Sequence, residues 1–323
     1  METTAEVLND TFATDVIEGL SSTPKFLSSK YFYDEKGDAI FQQIMDMPSY
    51  YLTKSEHEIF NTHKQALLSI FSNRQQAFHL IEFGAGDGMK TKVLLEHFLQ
   101  QKACFRYLPI DISENVLSIL VNDLEINFPG LEVEPLANEY FEALNILNEQ
   151  QRTERKVILF LGSNIGNFLQ DEAIEFLRQM RKHLRPDDLL LIGFDLKKDP
   201  QIILNAYNDK EGITRNFNLN LLDRINTEFD GNFDTNQFIH SPTYNPLTGA
   251  TKSYLVSTKN QEVTLERLGK TFKFEAWEAI DMEISQKYSL SNIAHLAKQA
   301  GFEVKSNFFD KNKNFVDSVW TVK

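Results

Sequence analysis

The sequence predicts an α/β protein with a doubly wound parallel sheet, and three observations lead to that fold class. Apolar strand-like runs alternate with amphipathic helix-like runs from about residue 79 to residue 196. One of these runs, "KVILFLG", is apolar almost throughout, which suits a strand that is covered on both faces. Alternate glycines follow the first strand directly, where such folds turn into a helix. Alternation of this kind indicates βαβ units and a parallel sheet.

The elements follow one another in a regular order up to residue 196. Residues 1 to 70 read as mostly helical, with interruptions at "TPKFLSSKYFYD" and "MPSYYLT". A strand at 79–83 precedes a helix that runs to about residue 101. The next strand is "CFRYLPIDIS", and the amphipathic helix "SENVLSILVNDLEINF" follows it. We predict a third strand in "LEVEPLANEY", a fourth in "KVILFLGSNIGNF", a helix over 171–184 and a strand in "DLLLIGFDL".

The alternation stops between about residues 198 and 285. The first part of this insert looks helical, and the second part looks like antiparallel strands joined by a turn at "NPLTGA". After the insert, "NIAHLAKQAGFEV" predicts a helix, and the remaining residues predict a terminal antiparallel hairpin. We therefore predict two domains: residues 58–196 with 286–323, and residues 1–57 with 197–285.

Composition narrows the class of partner. The 323 residues are 42% hydrophobic and 24% charged, which is typical of a globular protein with an ample core. The N-terminal residues have no basic and apolar pattern of a signal peptide, and no apolar run reaches the roughly 18 residues that span a bilayer. A net charge of -13 argues against binding nucleic acid. We expect a cytoplasmic protein, without a membrane segment, that acts on a small molecule.

Cysteine and histidine usage predicts no metal site and no disulfide. The one cysteine, Cys104, cannot form an internal disulfide, and the seven histidines show no metal-ligand spacing. The sequence also has no long exposed apolar stripe that would require a partner, so we expect a monomer.

The glycine turn indicates the class of cofactor. A dinucleotide fingerprint reads G-x-G-x-x-G, but Met89 stands where its third glycine would be. The pattern found is E-x-G-x-G-x-G, beginning at Glu82. An acidic residue before the turn suits S-adenosylmethionine (SAM), with its amino group and sulfonium, better than a nicotinamide dinucleotide. Asp111, which ends the next strand, is placed to bind ribose hydroxyls in either case. A glycine turn without a ligand remains the alternative.

Two further stretches contain candidate site residues. Glu139 and Tyr140 end the third strand, where they could accept from and stack on an adenine, although a solvated rim is also consistent with them. Asn167 follows the fourth strand and could bind a carboxylate or an amine, with a helix cap as the alternative. DNA and glutamine-amide methyltransferases carry the sequence N-P-P-Y after the fourth strand, and this chain lacks that sequence there.

The layout and several long motifs then resemble a known family. A parallel sheet closed by a C-terminal antiparallel hairpin is the layout of class I SAM methyltransferases. The sequence resembles the histidine-specific Nα-methyltransferases of ergothioneine biosynthesis over roughly residues 15 to 323. The motifs that carry this resemblance are "KYFYDEKGDAIFQQIMDMPSYYLTKSE", "IEFGAGDGMKT", "YLPIDIS", "LFLGSNIGNF", "FDLKKDPQIILNAYND" and "GITRNFNLNLLDRIN".

The resemblance implies a fold, a reaction and a set of site residues. The fold is a Rossmann-like class I methyltransferase sheet with an inserted α+β substrate-binding lid domain. The reaction is three successive methyl transfers from SAM to the α-amino group of L-histidine, which gives hercynine. The residues implied for substrate are Tyr50, Glu283 and Ser285 on the imidazole, Asn167 and Tyr207 on the carboxylate, and Tyr33 near the amine; we count Tyr33 and Asn167 as catalytic. The residues implied for the cofactor are Glu82, Gly84, Gly86, Lys90, Asp111, Glu139 and Tyr140.

Departures from the family pattern keep other functions open. Gly88 and Met89 replace the Ser-Glu pair that relatives often have, and Glu139-Tyr140 replaces Asp-Phe. Ser253 stands where some relatives place methionine, which predicts extra room around the substrate ring. An N-methyltransferase for another amino acid or a biogenic amine is therefore the first alternative. A nicotinamide-dependent oxidoreductase and a SAM-binding protein without catalysis are the others.

Overall fold

The computed structural model describes residues 4–72, 76–150 and 153–323, and these form two compact units. We call Met1–Tyr51 with Lys198–Ser285 the insert unit, and Leu52–Lys197 with Gln286–Lys323 the sheet unit. The predicted boundary between residues 57 and 58 falls inside a continuous helix, Tyr51–Phe71, and the chain divides at the first residue of that helix instead. The helix stays whole because most of its apolar positions, including Ile59, Phe60 and Phe71, are buried.

The helices and strands follow the predicted order closely. The helices are α1 (Thr4–Ser21), α2 (Glu35–Asp46), α3 (Tyr51–Phe71), α4 (Lys92–Gln100), α5 (Glu114–Asn127), α6 (Tyr140–Glu149), α7 (Gln170–Lys182), α8 (Pro200–Tyr207), α9 (Ile213–Phe229) and α10 (Leu290–Gln299). The strands are β1 (Lys25–Phe26), β2 (Phe78–Phe83), β3 (Phe105–Asp111), β4 (Leu136–Ala137), β5 (Arg155–Phe160), β6 (Leu189–Asp195), β7 (Phe238–Tyr244), β8 (Ala250–Ser257), β9 (Gln261–Leu265), β10 (Lys270–Phe274), β11 (Ala279–Gln286), β12 (Phe302–Phe309) and β13 (Phe315–Val322). Short 3₁₀ helices lie at Ser29–Phe32 and Asn164–Asn167.

The described residues of the sheet unit form a seven-stranded sheet in the order β12-β13-β6-β5-β2-β3-β4. Adjacent strands from β4 through β3, β2 and β5 to β6 are parallel to one another, and β13 is antiparallel to both β6 and β12. Every residue of β2 and β6 is buried, as expected for strands with helices on both faces. The predicted doubly wound sheet with a C-terminal hairpin is therefore confirmed.

The third predicted strand is much shorter than expected. Only Leu136 and Ala137 pair with β3, and Val133 adds an isolated bridge to Tyr107. Pro135 lies between these two contacts and has no N–H to donate to a ladder, which limits pairing at this edge of the sheet. Glu139 and Tyr140 consequently lie at the start of α6 and not in a strand.

The insert unit combines helices with small sheets, as predicted. The described residues order one sheet as β1-β11-β8-β7, in which β7 and β8 are antiparallel and β1 is parallel to β11. Strands β9 and β10 form a separate antiparallel pair. Helices α1 and α9 and the inner face of the larger sheet share one apolar core, to which Phe12, Phe217, Leu255 and Met282 belong.

Hydropathy gives no candidate for a membrane span. Among the described residues, no helix combines the length and the apolar content that crossing a bilayer requires.

Candidate active site

The glycine turn exposes bare backbone at the carboxyl end of β2. Gly84, Gly86 and Gly88 all have positive φ, at 65°, 54° and 63°, a region in which side chains are strained. A Cβ added at Gly86 would meet nothing within 4 Å, whereas one at Gly88 would lie 2.8 Å from a methyl carbon of Leu120. The Gly84 N–H is held by the Ile110 carbonyl of β3 at 2.9 Å. The turn is therefore fixed in shape and open at Gly86, which lets a ligand approach the main chain closely.

Glu82 lies under this turn, and its side chain is buried. Its carboxylate accepts hydrogen bonds from the Thr91 hydroxyl at 2.8 Å and from the Tyr107 hydroxyl at 2.5 Å. Burial raises the pKa of Glu82 from 4.5 to about 7, although the two hydroxyls and Lys90 act in the opposite direction. Through these two hydrogen bonds, Glu82 of β2 links β3 to Thr91, the residue before α4, underneath the glycine turn.

The raised pKa of Glu82 predicts a specific pH dependence of stability. The unfolded chain releases this proton near pH 4.5 and the folded chain near pH 7, so the stabilisation is complete below pH 4.5 and is lost as pH rises through 7. The full effect is about 3 kcal/mol, from about 1.4 kcal/mol for each pH unit between the two pKa values. We expect the free energy of unfolding, measured with urea, to fall less between pH 5.5 and pH 8 in Glu82→Gln than in the unmodified protein. Equal losses in both proteins would contradict the assignment.

Asp111 lies at the carboxyl end of β3 beside the glycine turn. One of its carboxylate oxygens accepts from the Gly86 N–H at 3.2 Å and the other from the Ser113 N–H at 3.1 Å. Each oxygen has a second lone pair, and the side chain is partly exposed. The carboxylate can therefore also accept from two neighbouring hydroxyl groups, as in the diol of a ribose.

Tyr140 and Glu139 lie at the same edge of the sheet, at the N-terminus of α6. The Tyr140 ring stacks on Phe83 with centroids 4.5 Å apart and an interplanar angle of 6°. Its hydroxyl oxygen lies 3.1 Å from the position of a Cβ at Gly84, and burial raises its pKa to about 12. Glu139 is exposed at the N-cap position of the helix. Backbone, carboxylates and an aromatic ring thus form a cradle that fits an adenosine-containing cofactor.

Lys90 is paired with a glutamate that the sequence did not single out. The Lys90 ammonium contacts the carboxylate of Glu56, which is fully buried on α3, and the same carboxylate accepts from the Gly162 N–H at 2.9 and 3.0 Å. Burial disfavours the Lys90 charge, but the attraction of Glu56 outweighs it and the pKa of Lys90 is raised. Asp317 of β13 is also buried; burial and the neighbouring Glu56 raise its pKa well above the usual range.

Asn167 ends the short 3₁₀ helix that follows β5. Its side chain is exposed, and the N-cap of α7 is Leu169, whose N–H bonds to Glu172 at 2.9 Å. The alternative that Asn167 caps α7 is therefore wrong. The turn starts from Ser163, which is buried at a φ of 59° and whose hydroxyl accepts from the Asp195 N–H at 3.1 Å. Asn167 thus extends from a turn that is fixed at its base.

In the insert unit, Tyr33 and Tyr50 pack around one phenylalanine. The Phe41 ring lies edge-on to both, with centroid distances of 5.5 Å to Tyr33 and 6.5 Å to Tyr50. Tyr33 also contacts Phe217 of α9 at 5.6 Å, yet 46% of its surface is exposed. The two predicted tyrosines therefore belong to one aromatic cluster.

Tyr207 and Ser285 are brought together although they are distant in sequence. The Tyr207 hydroxyl donates to the Ser285 hydroxyl at 2.9 Å, and both side chains are buried. Glu283 is partly buried two residues earlier on β11. Ser253 is buried on β8, and the Nε2 atom of His240 lies 3.3 Å from its hydroxyl. Burial lowers the pKa of His240 to about 4, so its imidazole is neutral. This imidazole lies beside Ser253, the position at which the sequence predicted extra room around the substrate ring.

No metal-binding cluster accompanies these residues. Within residues 4–72, 76–150 and 153–323, no group of three or more His, Cys, Asp or Glu side chains is arranged to hold a metal ion.

Comparison with known proteins decides the family. The sequence model of one protein family, the histidine-specific, SAM-dependent methyltransferases, matches residues 12–322 of this chain. The chain belongs to that family. It is 34% identical over 274 residues to a histidine N-alpha-methyltransferase of Mycobacterium tuberculosis, covering 85% of this chain and 83% of that protein. Identity is 32% over 287 residues to the protein of the same name from Mycolicibacterium smegmatis, covering 89% and 87%. Ergothioneine biosynthesis protein 1 of Schizosaccharomyces pombe is 29% identical, over 87% of this chain and 37% of that protein.

Membership of this methyltransferase family confirms the class of enzyme and its cofactor. The protein is a SAM-dependent methyltransferase with the class I fold, and the cradle at the carboxyl ends of β2 and β3 fits SAM. The nicotinamide-dependent alternative is therefore wrong.

Proposed function

We propose that this methyltransferase transfers methyl groups to the α-amino group of L-histidine, in three successive rounds that produce hercynine for ergothioneine biosynthesis. The observation that carries the proposal is the match to the histidine-specific family across residues 12–322. All of the substrate residues that the resemblance implies are present in the sequence.

On the cofactor side, we propose that the sheet unit binds SAM through its main chain and its acidic residues. SAM supplies a methyl group made electrophilic by its sulfonium. Gly84 and Gly86 receive the cofactor against the backbone, and Asp111 accepts from the ribose hydroxyls. Glu139 and Tyr140 contact the adenine, and Lys90 holds the cofactor carboxylate. We assign Glu82 to bracing the turn because its carboxylate, unlike that of Asp111, is buried and is bonded to Thr91 and Tyr107.

On the substrate side, we propose that both ends of histidine are held. A neutral imidazole offers one donor and one acceptor, which Tyr50, Glu283 and Ser285 together can satisfy. Tyr207 and Asn167 bind the carboxylate. The Tyr207 and Ser285 hydroxyls lie 2.9 Å apart, which supports a shared site for these two residues. The single proton of the Tyr207 hydroxyl turns from Ser285 to the substrate carboxylate when histidine binds. Side chains without the imidazole nitrogens leave these buried polar groups unpaired and are rejected.

In this proposal, most of the rate acceleration comes from positioning the substrate amine against the methyl group. A protonated amine has no lone pair for the displacement, so the enzyme binds or generates the neutral amine about 3 Å from the methyl carbon. Tyr33 lies beside the amine and orients it. Solvent takes up the proton between rounds, so no strong general base is required. Three rounds also require that the Cα–N bond can rotate between transfers.

Mass spectrometry of the purified enzyme with SAM and an equimolar mixture of the twenty amino acids tests the proposal. We expect mono-, di- and trimethylated histidine and no other methylated amino acid. Methylation of a different amino acid would change the substrate assignment. Ser253 and His240, which contact each other, would then be the first residues to examine for the altered specificity. Tight SAM binding without methylation of any amino acid would contradict the histidine assignment.

We also propose that the insert unit is the substrate-binding lid and that the enzyme is a cytoplasmic monomer. Closure of a lid excludes water from the reaction. The exposed thiol of Cys104 fits a reducing compartment. Light scattering during gel filtration measures the mass, and a mass of twice 37.3 kDa would contradict the monomer.

A further inference from the structure

A fully buried ion pair lies in the sheet unit and has no role in the chemistry described so far. The Lys287 ammonium is 2.8 Å from a carboxylate oxygen of Asp195, and neither side chain has any exposed surface. Asp195 is the last residue of β6, and Lys287 follows directly after β11. The pair therefore lies where the carboxyl end of β6 meets the chain that leaves β11.

Stability alone does not account for such a pair. Removing two charges from water is costly, and well-packed apolar residues of similar volume often stabilise a protein as well or better. A charged hydrogen bond differs from an apolar contact because it has a direction and a fixed length. The pair is therefore suited to holding two chain segments in one geometry.

The segments held in this way include the turn that carries Asn167. The Asp195 N–H donates to the Ser163 hydroxyl at 3.1 Å, at the base of the turn. The Tyr288 N–H donates to the Asp195 carbonyl at 2.9 Å, and the Tyr288 hydroxyl donates to the Ile165 carbonyl at 3.3 Å.

The same turn also packs against the last residue of β11. A Cβ added at Gly166 would lie 2.9 Å from the Gln286 carbonyl oxygen, so the turn contacts that backbone directly. Gln286 is the neighbour of Lys287 and continues the strand that carries Glu283 and Ser285. One buried assembly therefore fixes the base of the Asn167 turn and the end of β11.

We infer that Asp195 and Lys287 are positioning residues for the substrate amino acid, acting through the Asn167 turn and the end of β11. This inference rests on the proposed roles of Asn167, Glu283 and Ser285. The proposed cofactor contacts are carried by different elements, mainly β2, β3 and α6. The pair therefore acts on binding of the amino acid and leaves SAM binding unchanged.

The test removes both charges together, so that neither is left buried alone. The double variant Asp195→Asn/Lys287→Met is compared with Lys156→Met/Asp188→Asn, which removes an equally buried carboxylate and its lysine at the amino ends of β5 and β6. We expect the first variant to raise the histidine KM about tenfold or more, equivalent to about 1.4 kcal/mol, with the Kd for SAM within about twofold. We expect the control variant to leave the histidine KM within about twofold.

A histidine KM that changes equally in both variants, or that does not change in the first, would overturn the inference. If the double variant fails to fold, Ser163→Gly provides a second test, because glycine tolerates the positive φ and the substitution removes the hydroxymethyl group whose oxygen accepts from the Asp195 N–H. An unchanged histidine KM in Ser163→Gly would then overturn the inference. Failure of the proposed function is separate, since the unmodified enzyme would then not methylate histidine at all.

Discussion

Asp111→Ala is expected to weaken SAM binding by on the order of 100-fold or more, since two hydrogen bonds to a carboxylate contribute about 1.5–3 kcal/mol each. The residue acts twice in the proposed site. Its carboxylate anchors the Gly86 N–H at 3.2 Å, so that the open part of the glycine turn keeps its shape. In the proposed site, the remaining lone pairs of the carboxylate accept from the ribose hydroxyls. The alanine variant loses both contributions, and calorimetric titration with SAM measures the loss.

Two companion variants separate these contributions. Asp111→Asn keeps an acceptor for the Gly86 N–H but removes the charge, so we expect an intermediate affinity. Asp123→Ala removes a partly exposed carboxylate of the same unit, on α5, and is the matched control with unchanged affinity. SAM binding within about twofold of normal in Asp111→Ala would refute the ribose assignment.

Glu283→Ala is expected to raise the histidine KM by about 10- to 100-fold while SAM affinity stays within about twofold. The proposed role of Glu283 is to accept from an imidazole N–H beside Ser285. In the proposed site, loss of this carboxylate leaves the imidazole N–H without a charged acceptor. Steady-state kinetics with histidine, together with SAM titration, distinguishes the two ligands.

The control for this variant lies on the same strand. Asp281→Ala removes a carboxylate of β11 that is paired with Lys252, and we expect no change in either ligand. Equal losses of histidine and SAM binding in Glu283→Ala would show that the residue supports the fold of the strand and does not contact the substrate.

Local sequence patterns predicted most of the fold because its main determinants are local. The apolar run of β2 and the three glycines after it lie within one short stretch, and the structure places them as predicted. The pattern was misleading where tertiary contacts decide. Pro135 limits β4 to two paired residues, and the buried face of α3 keeps a helix whole across the predicted domain boundary.

The candidate site was less predictable because its supporting contacts join distant residues. Glu56 and Asp317 are 261 positions apart in the sequence and both surround Lys90, and no spacing rule links them. Glu82 was predicted as a cofactor residue, and the structure shows its carboxylate bonded to Thr91 and Tyr107. The sequence offered one sign of this contact: Thr91 places a hydroxyl shortly after the glycine turn, where it can donate to Glu82. Asp195 and Lys287 carry no comparable local signal.

The position of β13 has a consequence for how this enzyme is made in a cell. The strand lies between β6 and β12, so β6 keeps an open edge until residues 315–322 have been synthesised. A ribosome adding about 5–20 residues each second needs roughly 6–24 seconds to translate the chain between these two strands. During that interval β6 is an apolar strand with unpaired backbone groups, which favours aggregation. In a nascent chain this edge of β6 is therefore open to wrong pairing until β13 is available to cover it.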